Sequence, residues 1–244
     1  MIAFFKLTVY TPLYNALIFI LDVIPWADVG IALIILTFIV RLVLFPLSKK
    51  ATRTQIEMKS FEPELNAIKE KYKNEREKQA RAVMDFYREK KINPFSGILF
   101  VFIQIPIILS LFYIFYSGGL PEINPSLLYS FIKAPENISM EFLGFIDIGS
   151  RSLFLALLAG VTQYFQVKFS MPALPPRNSD KPSFKDDLAR SMNVQMRYIL
   201  PVMITFIAYG MQGAVALYWS ASNSFTIIQE IYIRRKIAEE KKNV

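Results

Sequence analysis

GIALIILTFIVRLVLFPLS, residues Gly30–Ser48, decides the fold. The stretch is apolar enough and long enough to cross a bilayer. Yet it carries Arg41, and a guanidinium in a spanning helix costs ~2.5–3.5 kcal/mol on insertion scales. Arg cannot escape by losing its proton, so something must solvate it. Thr37 lies four residues earlier and shares its helical face. Two readings account for Arg41. It snorkels toward the interface near Lys49, or it faces a wet cavity between helices, the default functional reading of an intramembrane charge.

Composition widens the argument to the whole chain. Of 244 residues, 53% are hydrophobic and the mean hydropathy is +0.33. That is too apolar for an ordinary soluble domain and predicts an all-α, multi-span membrane protein. Phe (21) and Tyr (12) are abundant, which suits lipid-facing and interfacial positions. Cys and His are both 0. Disulfides, thiolate metal sites and a lipidated N-terminal Cys are thereby excluded, as are His general bases and His metal ligands.

Read in order, the chain predicts ten segments. Residues 1–29 form an extracytoplasmic region in which Pro12 and Pro25 bracket Leu13–Ile24, an interfacial amphipathic helix; an uncleaved anchor is the rival reading. The first span is 30–48. Residues 49–92 are a basic helical hairpin, with thirteen Lys and Arg against eight acids over Ser48–Lys91. Phe61, Leu65, Ile68 and Tyr72 form one apolar seam, and Ala80, Val83, Met84 and Tyr87 the other. Lys73–Asn74–Glu75 is the turn, and Pro63 starts or kinks a helix. The second span is 93–116, opened by Asn93–Pro94 and interrupted by Gln104 and Pro106. Residues 117–151 are a loop rich in Gly and Pro. The third span, 152–171, holds Thr162, Gln163 and Gln166. A polar loop, 172–197, precedes the fourth span, 198–211. The fifth span is 214–233, and 234–244 is a basic tail.

The hairpin, the 172–197 loop and the tail are basic, whereas the 117–151 loop is acidic. The positive-inside rule therefore predicts five spans, with the N-terminus outside and the C-terminus in the cytosol.

The fifth span reads AVALYWSASNSFTIIQEIYI. Ser222, Thr226 and Gln229 recur at helical spacing below Tyr218, and Trp219 and Asn223 form the adjoining row. Any one such residue is accounted for by an interhelical hydrogen bond. A stripe of them, with Thr37, Arg41, Gln104 and Gln163 on other spans, predicts amphipathic helices sharing one polar cavity. Apart from Glu230 the spans hold no Asp or Glu. That counts against an intramembrane aspartyl protease and most proton-coupled transporters. No nucleotide-binding loop, metal motif or catalytic triad is present, so neither enzyme activity, cofactor nor metal is expected.

Four stretches together carry a resemblance: GIALIILTFIVRLVLFPLSKKATRTQIEM, PELNAIKEKYK, KINPFSGILFVFIQIPI and ALYWSASNSFTIIQ. In order and spacing they resemble the YidC/Oxa1/Alb3 family of membrane protein insertases, over nearly the whole chain. The resemblance implies a five-span core in the bacterial cytoplasmic membrane, with a cytosolic coiled hairpin after the first span. It implies a hydrophilic groove open to cytosol and lipid and closed toward the outside. The family arginine falls on Arg41. Gln163 and Trp219 fall on groove-lining positions with Tyr218 beside them, and Gln166 is the alternative to Gln163. Implied partners are nascent membrane proteins, lipid, the ribosome and the Sec translocon, with no DNA and no small-molecule substrate. The sequence departs from the family in carrying no large periplasmic domain and no lipoprotein Cys, and in its short basic tail. Rival readings are a small-solute channel or transporter, and a structural assembly factor.

Overall fold

The computed structural model describes residues 2–93, 96–116, 120–135, 137–171 and 190–242. The expected 172–197 loop lies, over residues 172–189, outside the described residues; so do Pro94, Glu136 and the last two residues of the tail. The structure is mostly helical (77%), as an all-α chain requires. It divides into two compact units, Met1–Leu42 with Pro106–Ile231, and Val43–Ile105 with Tyr232–Val244.

In the first unit, a helical lead-in, Ile2–Phe5 and the π-helical Lys6–Tyr10, precedes α1, Thr11–Val23. Pro12, which has no amide hydrogen to return to the Thr8 carbonyl, comes just after the π-helical turn. Tyr14, Leu17, Ile18 and Leu21 are buried, the spacing of one helical face. Helix α2, Val29–Val43, repeats the pattern with Val29, Ala32, Leu33 and Leu36. Thr37 and Arg41 continue that buried face, while Phe38, Ile39 and Leu42 are exposed. The C-terminal part of α2 thus also turns apolar side chains outward, where a helix of a soluble protein would turn polar ones.

Residues Asn93–Tyr116 were expected as one span; the helix there is α6, Ser96–Tyr116, and its second half buries Ile107, Leu111, Ile114 and Phe115. Helix α7, Leu153–Ser170, starts at Ser152, whose hydroxyl accepts the Leu155 amide at 3.3 Å. It packs along α8, Leu200–Tyr209, which follows the π-helical turn Gln195–Ile199. The two backbones approach closely at Gly160. A Cβ there would collide with Thr205 Oγ1 and lie 3.1 Å from the Pro201 carbonyl oxygen. Helix α9, Gly213–Lys242, begins where Gly213 N donates to Ser150 O at 2.7 Å and Ala214 N to Ile148 O at 2.9 Å.

The 117–151 segment, expected as plain loop, contains a two-stranded antiparallel hairpin, β1 Glu141–Phe142 and β2 Ile146–Asp147. It is also tied to α1. Asn15 Nδ2 donates to Leu127 O at 2.8 Å, Asn15 Oδ1 accepts from Tyr129 N at 2.7 Å, and Tyr14 Oη accepts from Asn124 N at 2.9 Å. These side chains satisfy backbone groups that no ladder reaches.

In the second unit, α3 spans Phe45–Ser60, α4 Glu62–Lys71 and α5 Arg76–Glu89. Helices α4 and α5 pack as a hairpin through the turn Tyr72–Glu75, with Pro63 in the first turn of α4. Its seam differs from the expectation. Leu65 is buried as expected, but the α5 side buries Phe86, with Ala82 and Val83 partly covered, while Ala80 and Met84 are exposed. Phe61 meets Phe86 edge-on at 5.7 Å, and Lys90 Nζ lies 4.8 Å from the Phe61 ring centroid and 3.4 Å from Glu64. Gln79 Nε2 donates to Lys69 O at 2.6 Å across the arms.

The expected first span is not one helix. It ends at Val43 and restarts at Phe45, because Pro46 has no amide hydrogen to return to the Leu42 carbonyl. Among the described residues no single helix is long and apolar enough to cross a membrane. The broken pair α2–α3 passes that test of length and composition together, and Phe102–Tyr116 is a shorter apolar helix. Polar residues inside α7 and α9 lower their hydropathy, which is the cost of the stripe that drew notice in the sequence.

Candidate functional site: a buried cation beside a polar side-chain chain

Arg41 lies one helical turn beyond Thr37 on the buried face of α2, and is only 8% exposed. Its guanidinium Nη2 donates to Ser222 Oγ on α9. Tyr218, one turn before Ser222, is buried and close enough to Arg41 for electrostatic interaction. Thr37 turns its hydroxyl back to the Leu33 carbonyl at 2.7 Å, so its own donor is satisfied within α2.

One residue along α9, Asn223 begins a second arrangement. Its Nδ2 donates to Gln163 Oε1 at 3.2 Å and to Thr162 Oγ1 at 3.3 Å on α7. Gln163 Nε2 donates to Gln166 Oε1 at 3.1 Å, and Gln166 Nε2 to Ser170 Oγ at 3.1 Å. The spacing 163, 166, 170 puts these three on one face of α7. Amide chains of this kind suit an apolar surround, because each donor that loses water finds an acceptor.

Of the residues expected in the site, Arg41 and Ser222 are joined directly, with Tyr218 near them. Gln163 and Asn223 are joined to each other, and α9 links the two groups. Trp219 is half-buried on the same helix. Gln104 falls in the other unit, partly buried on α6. Thr162, Gln166 and Ser170 stand outside the expected site; Gln166 and Ser170 fall three and seven residues after Gln163, a spacing that marks its helical face. Further along α9, Gln229 is buried and its Nε2 has no hydrogen-bond partner. Among the described residues there is no group of three or more carboxylate, His or Cys side chains able to hold a metal ion.

What the fold and site define is a helical protein that turns apolar faces outward and keeps one cation and a row of amides within. Residues 20–241 match the family model described as 60Kd inner membrane protein. The chain belongs to that family, the YidC/Oxa1 family. A protein of Fusobacterium nucleatum named membrane protein insertase YidC is 30% identical over 207 residues, covering 85% of this chain and 86% of the relative. Proteins of the same name from Pelobacter propionicus and Citrifermentans bemidjiense are 31% and 30% identical, over 85% and 86% of this chain. The chain spans only about a third of the length of those two, 35% and 34% respectively.

Proposed function

We propose that this protein is a membrane protein insertase and foldase of the bacterial cytoplasmic membrane, working without covalent chemistry and without ATP hydrolysis of its own. The observation that carries the reading is Arg41: a permanently charged side chain, buried on a helix whose other face is exposed Phe38, Ile39 and Leu42, and hydrogen-bonded to Ser222. Family membership supports it, since relatives carry the insertase name.

The proposed mechanism lowers a barrier. A client's polar tail must cross hydrocarbon, where each unsatisfied backbone group costs several kcal/mol. A hydrophilic groove part-way into the bilayer shortens that crossing. Its residues in this reading are Arg41, Thr37, Gln163, Tyr218, Trp219, Ser222 and Asn223. Arg41 supplies positive potential to acidic residues in the crossing segment, at a local dielectric where a charge acts strongly. Amides from Asn223 through Gln163 offer hydrogen bonds to a backbone in transit. The client's apolar helix then leaves sideways into lipid.

The proposed topology has five spans, an extracytoplasmic N-terminus and a cytosolic C-terminus, with the α4–α5 hairpin in the cytosol. The spans follow the expected boundaries, 30–48, 93–116, 152–171, 198–211 and 214–233. Clients are nascent membrane proteins, lipid surrounds the bundle, and the ribosome and Sec translocon are further contacts of the basic cytosolic surfaces. Purified protein in liposomes tests the reading. It should insert a short single-span client while leaving the vesicles impermeable to ions. Ion conduction without insertion would instead make it a channel.

A further inference from the structure

The turn of the β1–β2 hairpin breaks a local rule. Register Phe142↔Ile146 leaves Leu143, Gly144 and Phe145 in the loop. Phe145 N donates to Phe142 O at 3.3 Å, closing a turn whose central residues, Leu143 and Gly144, have φ of +55° and +77°. Both are left-handed, positions that favour Gly, Asn or Asp. Leu there sets its Cβ against the following carbonyl, a clash that Gly escapes. The residue that bears this clash is also exposed: Leu143 is 55% and its neighbour Phe145 74% accessible. A turn that resists both its backbone preference and water has a reason outside itself.

The tip is held in place. Leu143 N donates to Asp28 Oδ2 at 2.9 Å, while Asp28 Oδ1 accepts from Ile31 N at 2.8 Å and so caps the first turn of α2. Val29 N donates to Ser139 O at 3.0 Å. The Phe142 ring covers Gly30 so closely that any Cβ there would collide with it. One carboxylate thus joins the hairpin to the start of α2. Two residues before Asp28, Trp26 is 76% exposed. Trp26, Leu143 and Phe145 form an apolar knuckle fixed at the N-terminal end of α2.

We propose that this knuckle is a lipid anchor, seated at the boundary between headgroups and acyl chains in the leaflet at the N-terminal end of α2. Three observations name lipid as its occupant. Apolar side chains are exposed on both adjoining helices as well, Phe19 and Val23 on α1 and Phe38, Ile39 and Leu42 on α2. Its chemistry is that of an interfacial belt, where Trp is enriched. Its flanking charges, Glu141 and Asp147, are acidic and exposed, so contact rests on apolar insertion rather than on attraction to anionic lipid. The consequence concerns Arg41. It lies thirteen residues beyond Asp28 on the same helix, roughly 20 Å at 1.5 Å per residue. An anchor clamped to Asp28 therefore fixes the depth at which Arg41 is held. The inference rests on reading α2 as membrane-embedded.

The chain has 0 Cys, so single cysteines label without background. Trp26→Cys and Phe145→Cys, each in the full chain in phosphatidylcholine vesicles, are labelled with a nitroxide. Collision rates with oxygen and with a water-soluble nickel chelate are then compared. Ser126→Cys, at an exposed loop residue, serves as the water reference, and Ile39→Cys, on the exposed face of α2, as the lipid reference. Oxygen preference at 26 and 145 severalfold above that at 126, unchanged by salt or by added anionic lipid, is the expected result. Nickel preference at 26 and 145 with oxygen preference at 39 overturns the anchor and leaves the membrane reading standing. Nickel preference at all four sites overturns the membrane reading as well. Shielding of 26 and 145 from both reagents overturns lipid as the occupant and assigns the knuckle to a protein contact.

Discussion

At the scale of single residues, the site depends on which neighbours share a turn. Asn223 bridges α9 to α7 through Gln163 and Thr162, and such interhelical bonds contribute ~0.6–1.7 kcal/mol in membrane proteins. Asn223→Ala should lower stability by about 1 kcal/mol, Gln163→Ala by a similar amount. The double variant should fall short of the sum, because the two changes remove one interaction. Thermal unfolding in detergent checks this, and strict additivity would mean that the bond contributes nothing. Ser222→Ala removes the hydroxyl that Arg41 donates to. It should depress insertion less than loss of the cation itself, since positive potential persists. Much of this site was legible in the sequence. Arg41 announces itself by its cost in an apolar run, and Ser222 and Asn223 by their helical recurrence. Helix rotation was not legible, so the turning of the Thr37 hydroxyl back into α2, rather than toward Arg41, could not be read from residue order. The spacing of Gln166 and Ser170 marks a shared face with Gln163, but not which side chains bond along it.

At the scale of elements, close approach and turn geometry govern. Gly160→Ala drives a methyl into Thr205 on α8. Overpacking of this kind costs typically 1–3 kcal/mol, so Tm should fall clearly. Adding Thr205→Ala should recover part of the loss, while leaving the 3.1 Å approach to the Pro201 carbonyl. Failure of that second change to help would place the strain elsewhere. The β1–β2 hairpin carries a pH dependence. Hydrogen bonds from Ser150 and from the Gly149 amide hold the Asp147 carboxyl below its ordinary value. A depressed carboxyl contributes stability in full above the ordinary carboxylate range, and loses it as pH falls through the folded value. Amide exchange at Gly149 should therefore accelerate, beyond its intrinsic pH trend, only under strong acid; Asp147→Asn should abolish the difference. Helices were legible here because apolar residues repeat every three or four positions, as in Val29, Ala32, Leu33 and Leu36. The hairpin was not legible, because its turn uses Leu143 where the rules look for Asn. The α5 seam differs because Met84 and Phe86, two residues apart, face nearly opposite sides of the helix. Only packing against Phe61 selects Phe86. The span boundary near Leu44 was blurred by Pro46, whose effect on a helix is to end or to kink it.

At the scale of the whole molecule, the account joins charge to position. The α4–α5 hairpin is basic, largely exposed and held by a short seam and by surface ion pairs such as Lys90 with Glu64. Pairs of that kind contribute little, ~0–1 kcal/mol each, so local opening is easy. In inverted vesicles protease should cut within Arg76–Arg81 and spare Leu120–Arg151. The opposite pattern would reverse the proposed topology. The central claim is that a buried cation at Arg41 draws acidic client segments across the membrane. Its most direct measurement is insertion of paired single-span clients, one with acidic residues in the translocated tail and one without. Each is offered to liposomes holding equal amounts of native protein, Arg41→Lys or Arg41→Ala. The account predicts that Arg41→Lys keeps most insertion of the acidic client, because a hydroxyl such as Ser222 accepts from an ammonium as well as from a guanidinium. Arg41→Ala loses it, and the neutral client responds weakly to either change. Normal insertion of the acidic client by Arg41→Ala would contradict the account.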